Sequence, residues 1–258
     1  MNTLRKTMAV LLSIVMLLTL APLGSFATET EPCNHLFEDN TYYLFSQKNC
    51  VNCGEPLPLP PASQIRYDKL KNNISQDITH IIFGNYANYQ SIVSGEGVGL
   101  SFDETSVKGF AVGTTYYVLN MNPDEPMMTI NTLAYIFESR RNLKSVDFAN
   151  LLDISYVYSA QGTFYVCSSL EEVLGISNWD SDRLLSINKM FYNCSKLTSI
   201  DLSALKMTNV TDMSSAFYNC KALTALTLCP DMNSSKATTM AGMFYFCDRL
   251  EELDMQYH

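Results

Sequence analysis

From residue 143 onward the hydrophobic positions fall into a recurring figure, Leu-x-x-hydrophobic-x-hydrophobic. It reads Leu143/Val146/Phe148, Leu197/Ile200/Leu202, Leu223/Leu226/Leu228 and Leu250/Leu253/Met255. The closing alternation has the period of two expected of a strand with one buried side. Leu170/Val173 opens the same figure, but the next hydrophobe is Ile176 where the spacing wants position 175. A local bulge is expected there. Ahead of the strands, Val210, Met213, Phe217 and Cys220 recur every three or four residues, as do Met240, Phe244 and Cys247. That spacing predicts one face of a short helix.

The helix-like segments carry a shared head. Phe164-Tyr165-Val166-Cys167, Phe191-Tyr192-Asn193-Cys194, Phe217-Tyr218-Asn219-Cys220 and Phe244-Tyr245-Phe246-Cys247 follow one another at 26 or 27 residues. Phe137 lies 27 residues further upstream, with Arg140 in the cysteine slot. A period of this length predicts a stacked solenoid, and Leu-x-x-Leu-x-Leu is the leucine-rich-repeat figure. The expected fold class is therefore α/β: a leucine-rich-repeat solenoid with a parallel strand ladder and one short helix per repeat, preceded by a small β-rich cap. About five units fill residues 130–258, with no polar C-terminal cap, which predicts weak self-association through the last repeat or a fraying last unit. Neighbouring helices pack about 8–10 Å apart, beyond the about 7 Å Cα limit of a disulfide. The cysteine column thus reads as small buried filler, and Cys229, before Pro230, as a free thiol.

Residues 64–129 differ in character. Ile78–Phe83 and Thr114–Leu119 are rich in β-branched and aromatic residues, and five glycines lie between Gly95 and Gly113. Hairpins suit such a stretch better than helix. Phe83 and Phe110 stand on the repeat register, so two degenerate repeats compete with the β-rich cap as a reading.

Further forward, Cys33-Asn34-His35 and Cys50-Val51-Asn52-Cys53-Gly54 form a C-x-H…C-x-x-C pattern over residues 28–54. Cys33, His35, Cys50 and Cys53 are the donor set of a closed tetrahedral zinc site, structural rather than catalytic. A disulfide is the competing reading, since secretion favours it; it leaves one cysteine unpaired and His35 without a role. Four prolines between Pro56 and Pro61 make residues 55–63 an extended linker.

Residues 1–27 read as a signal peptide: Arg5 and Lys6, an apolar run from Met8 to Leu20, then Ser25-Phe26-Ala27. The run falls short of the roughly 20 residues a membrane span needs. No integral membrane segment is expected once the leader is removed. The leader holds two basic and no acidic residues, so its removal takes the formal charge from −9 to −11. Nucleic acid and anionic lipid are poor partners for such a chain. The histidines are His35, His80 and His258, and the sequence contains no HExxH, GxSxG or P-loop. Gly95-Glu96-Gly97-Val98-Gly99 misses the dinucleotide spacing and reads as a turn.

The run Met190-Phe191 through Cys194, Leu197 and Ile200-Asp201-Leu202, followed by Met207-Thr208-Asn209-Val210-Thr211-Asp212-Met213, resembles the BspA-like leucine-rich-repeat family of bacterial surface proteins. The resemblance covers about residues 78–258 and is closest over 187–253. It implies a secreted or surface-displayed bacterial protein linked to adhesion, with no shared catalytic residue. The N-terminal module resembles the short zinc-ribbon-like modules at the ends of many bacterial surface proteins.

In the strand figure, the residues flanking the central hydrophobe face outward. They are Ser145 and Asp147, Glu172, Ser199 and Asp201, Ala225 and Thr227, then Glu252 and Asp254. The expected function is non-catalytic binding of a protein or other extracellular macromolecule through this face. A solvated face on a structural envelope spacer is the alternative. A carrier for a secreted hydrolase is the third, and residues 64–129, with one histidine, are a poor host for it.

Overall fold

The computed structural model describes residues 64–125, 127–229 and 236–255. The expected leader, the Cys33/His35/Cys50/Cys53 module and the proline-rich linker lie outside the described residues. The elements are α1 (Tyr67–Asn73), β1 (His80–Asn85), α2 (Tyr86–Tyr89), β2 (Val98–Gly99), β3 (Val107–Val112), β4 (Thr115–Asn120), β5 (Met128–Thr129), β6 (Ser145–Asp147), β7 (Leu152–Asp153), β8 (Glu172–Leu174), β9 (Ser199–Leu202), β10 (Ala225–Leu228) and β11 (Glu252–Met255).

The Leu-x-x-hydrophobic-x-hydrophobic figure lands on short strands. β9 and β10 alternate outward and buried positions, with Ile200, Leu202, Leu226 and Leu228 inside. Strands of successive rungs pair parallel: β6 with β8, and β9 with β10 and β10 with β11. The order is β2-β3-β4-β1-β6-β8 in one sheet and β9-β10-β11 in another.

β8 and β9 are not paired, and β8 departs from the repeat figure at its end. Gly175 occupies the slot held by Phe148, Leu202 and Leu228. Its φ of +68° is left-handed, a conformation that costs a side-chain-bearing residue about 1–2 kcal/mol. A Cβ there would meet the Ala149 nitrogen at 2.2 Å. β8 therefore ends at Leu174, and Ile176 takes the buried position one residue late.

The segments expected as one short helix per repeat are runs of turns instead. Left-handed residues recur four apart in every rung: Tyr135 and Ser139, Gly162 and Val166, Lys189 and Asn193, Ser215 and Asn219, Gly242 and Phe246. No α-helix passes through such residues. The backbone N–H groups alternate in direction as a result. Gly162, Phe164 and Val166 donate to the carbonyls of Asn188, Met190 and Tyr192 in the next rung at 2.8, 2.8 and 2.7 Å. Thr163, Tyr165 and Cys167 donate three residues back, at 3.4, 2.9 and 3.1 Å. The rungs are thus backbone-bonded on this side too, and the 8–10 Å helix separation expected from packed helices does not apply.

Two columns of rings follow from that spacing. Phe137, Phe164, Phe191, Phe217 and Phe244 stack with centroids 5.4, 5.2, 5.5 and 5.7 Å apart. Beside them Tyr165, Tyr192, Tyr218 and Tyr245 stack at 5.1, 4.6 and 5.6 Å. Cys167, Cys194, Cys220 and Cys247 fill the slot behind, and each thiol donates to the Phe carbonyl of the preceding rung at 3.0–3.2 Å. Burying a phenylalanine stabilises by about 1.5–3 kcal/mol, against about 1 kcal/mol for a hydrogen bond. The phenylalanines set the stack and the thiols tune it. Cys229 is also buried and free.

Residues 64–129 join this stack. β3 and β4 form an antiparallel hairpin turned at Gly113, and β4 pairs parallel with β1. β1 in turn pairs parallel with β6, His80 opposite Ser145 and Ile82 opposite Asp147. Phe83 enters the main core against Phe148, centroids 4.8 Å apart. Phe110, the other residue on the repeat register, sits on β3 in a separate cluster with Val93, Tyr117 and Leu119. Arg140, in the first rung's cysteine slot, donates from Nη2 to the Lys71 carbonyl at 2.7 Å and ties the stack to α1.

Candidate ligand-binding face

The strand side of the stack is built from alternation. Val146, Val173, Ile200 and Leu226 point inward and are buried, so their neighbours point outward. Parallel pairing without slippage then aligns those neighbours in columns. Ser145 sits opposite Glu172, and Asp147 opposite Leu174. Beyond the unpaired boundary, Ser199, Ala225 and Glu252 form one column and Asp201, Thr227 and Asp254 the other. The sequence-derived face residues are thus brought together as two rows on each side of that boundary.

Their environments differ. Glu172, Ser199 and Asp201 are exposed, while Ser145, Asp147 and Thr227 are half-buried. Asp147 accepts the Ala149 N–H at 2.8 Å and Asp201 the Ser203 N–H at 2.9 Å. Each aspartate therefore closes the turn that ends its strand with one oxygen, a common duty of this residue type. The ion pairs of the described residues join Arg66 to Asp68, Lys69 to Glu104, Lys71 to Glu138, and Lys206 to Asp180 and Asp182. None of them neutralises Asp147, Glu172 or Asp201.

Two parts of the face were not legible from the strand figure. A shallow, open cleft lies at the β8–β9 boundary, lined by Glu171, Glu172, Ser195, Lys196, Thr198 and Ser199. The signal for it was the missing hydrophobe at position 175. The second part is α2, which follows β1 directly and folds over the outward side of the sheet. Tyr89 packs against Tyr117 with centroids 5.4 Å apart. Burial, then the Asp147 carboxylate, raise the Tyr89 hydroxyl above its ordinary value.

His80 Nδ1 lies 2.8 Å from the Thr79 hydroxyl on an otherwise apolar strand. Burial pushes the Cys167 thiol up to about 12 and Cys194 well above its ordinary value, so both remain protonated. Among the described residues, no group of three or more His, Cys, Asp and Glu side chains is placed to hold a metal. Among them, too, no helix is long and apolar enough to cross a membrane.

No curated protein and no solved structure matches the chain. Residues 131–256, the span from just after β5 through β11, match the family described as "Mycoplasma protein of unknown function, DUF285", and over those residues the chain is similar to that family.

Proposed function

We propose that the chain is a secreted or surface-displayed bacterial protein of the BspA-like kind, non-catalytic, whose stacked rungs form a leucine-rich-repeat solenoid. It binds a protein or other extracellular macromolecule through the strand face. The carrying observation is the in-register alignment of Ser145 with Glu172, and of Asp201 with Thr227 and Asp254. The similarity over residues 131–256 is compatible with a surface protein. In this reading residues 1–27 direct export, and zinc held by Cys33, His35, Cys50 and Cys53 folds the leading module.

A second reading, an envelope spacer without a specific ligand, draws on the turn-closing bonds of Asp147 and Asp201. Pull-downs with the mature chain against host-matrix and bacterial-surface extracts separate the two. Capture of a defined ligand that Asp147→Ala, Asp201→Ala and Asp254→Ala together abolish supports the binding face. A confirmed ligand held equally by the triple variant overturns it, and persistent absence of any ligand favours the spacer.

A further inference from the structure

The outward row that starts under α2 changes character within four strands. It runs Tyr117, Ile82, Asp147, Leu174, set by the pairings of β4 with β1, β1 with β6 and β6 with β8. Neighbouring strands lie about 4.8 Å apart, so an aromatic surface, an aliphatic one and a carboxylate fall within about 10 Å of one another.

Tyr89 stands over this row. Its ring occupies the space above Gly84, where an added Cβ would meet the ring at 2.3 Å. Gly84 is therefore required for the ring to lie flat on β1. The ring is half-buried, and the Asp147 charge reaches its hydroxyl. On the far side of Asp147, Leu174 is 46% exposed, and Glu172 stands exposed one outward position back along β8.

We propose that this corner docks a basic, extended polypeptide. One lysine or arginine of the partner places its cationic head between the Tyr89 ring and the Asp147 carboxylate and its methylenes over Ile82, and a neighbouring apolar residue of the partner covers Leu174. A second basic residue meets Glu172 and the cleft that leads to Asp201. The proposal rests on the strand-face reading and names its partner class. Aromatic rings attract cations at their faces, and long basic side chains cover apolar surface while keeping the charge at the rim. The sign of the field agrees. Asp147, Glu172 and Asp201 have no ion-pair partner among the described residues, and the whole chain carries a formal −9. Of the basic residues on this side, Lys108 on β3 donates to the Glu96 carbonyl at 2.9 Å, Lys196 lines the cleft rather than the corner, and Lys144 precedes β6. The alternation of apolar and acidic positions across the strands favours a polypeptide over a bare polycation.

The test is fluorescence anisotropy on the full chain with a labelled decapeptide of alternating lysine and valine. Its glutamate/valine counterpart and spermine serve as comparison ligands. Binding of the lysine peptide alone is expected. Tyr89→Ala and Asp147→Asn should each weaken it roughly two- to thirtyfold, the range of a cation–ring contact. Tyr89→Phe should bind as the parent does, because the ring face is retained. Asp147→Asn keeps an oxygen for the Ala149 N–H and so preserves the turn, which leaves a readable variant should Tyr89→Ala fail to fold. Asp182→Asn, away from the corner, should have no effect. Equal binding by the Asp147→Asn variant, or displacement by spermine at equal charge concentration, overturns the proposal. The outcome is separable from the wider reading: an extract ligand lost in the triple alanine variant, with no lysine-peptide binding, sinks the corner and leaves the face.

Discussion

The Cys194 thiol donates across a rung boundary to the carbonyl of Phe164, at 3.2 Å. The residue that closes one turn thus recognises the residue that opens the turn before it. Because the bond repeats at Cys167, Cys220 and Cys247, a column read from the sequence as buried filler also aligns the rungs.

The buried thiols make stability sensitive to alkali. Burial raises the folded Cys167 pKa from 9.0 to about 12. The unfolded chain releases its proton above pH 9.0 and the folded one does not. Stabilisation is therefore complete below pH 9 and is lost as pH rises toward 12. Its slope is about 1.36 kcal/mol per pH unit for this group. Urea unfolding from pH 8 to 11 should show a shallower alkaline loss in Cys167→Ala than in the parent. Parallel profiles would mean that Cys167 titrates alike in both states.

Gly175 should tolerate no side chain. Alanine there meets the Ala149 nitrogen and the left-handed backbone at once. A loss of about 1–3 kcal/mol is expected. Gly113 is left-handed too, but a Cβ there has nothing within 4 Å, so Gly113→Ala should cost less. Denaturant midpoints for the two variants check the ranking.

Val166 is a strained exception in its column. It holds φ +60°, where the equivalent positions carry Ser139 at +59°, Asn193 at +60°, Asn219 at +62° and Phe246 at +62°. β-Branched residues are poorly suited to that region and asparagine tolerates it. Val166→Asn should stabilise the chain by about 1 kcal/mol, read as a rise in melting temperature. A fall would show that packing by the valine outweighs its backbone strain.

Elemental analysis of residues 28–258 should find one zinc per chain. Cys50→Ser should abolish it, and chelation should leave the melting of the rungs unchanged. A metal-free protein with a mass two units below that of the fully reduced chain would assign the front cysteines to a disulfide.

The strands were legible because burial alternates with a period of two and the next rung repeats it at a fixed offset. Ile200 and Leu226 needed no more than that. The turn conformation was not. Val210, Met213, Phe217 and Cys220 are spaced as one helix face, yet hydrogen bonds reaching three residues back produce the same spacing in turns. What separates the two is a left-handed residue every fourth position. Lys189 and Ser215 occupy such positions with no glycine or asparagine to signal it. The bonds from the next rung hold them there, and those are invisible to a local pattern. The outward residues of the candidate face followed from the strands. Tyr89 did not, because its place depends on a chain reversal after β1.

At the boundary between β8 and β9, the turn side is bonded from Ala160, Gly162, Phe164 and Val166 to the next rung, while the strand side has no pairing. The two blocks are joined by these backbone bonds on the turn side and, past the strands, by Lys206 with Asp180 and Asp182 and by Asn209 with the Asp182 carbonyl. Among the described rungs, this is the place where the strand face can widen or narrow without breaking a β-ladder. A ligand spanning Glu172 and Ser199 would therefore bridge a seam that no β-ladder closes.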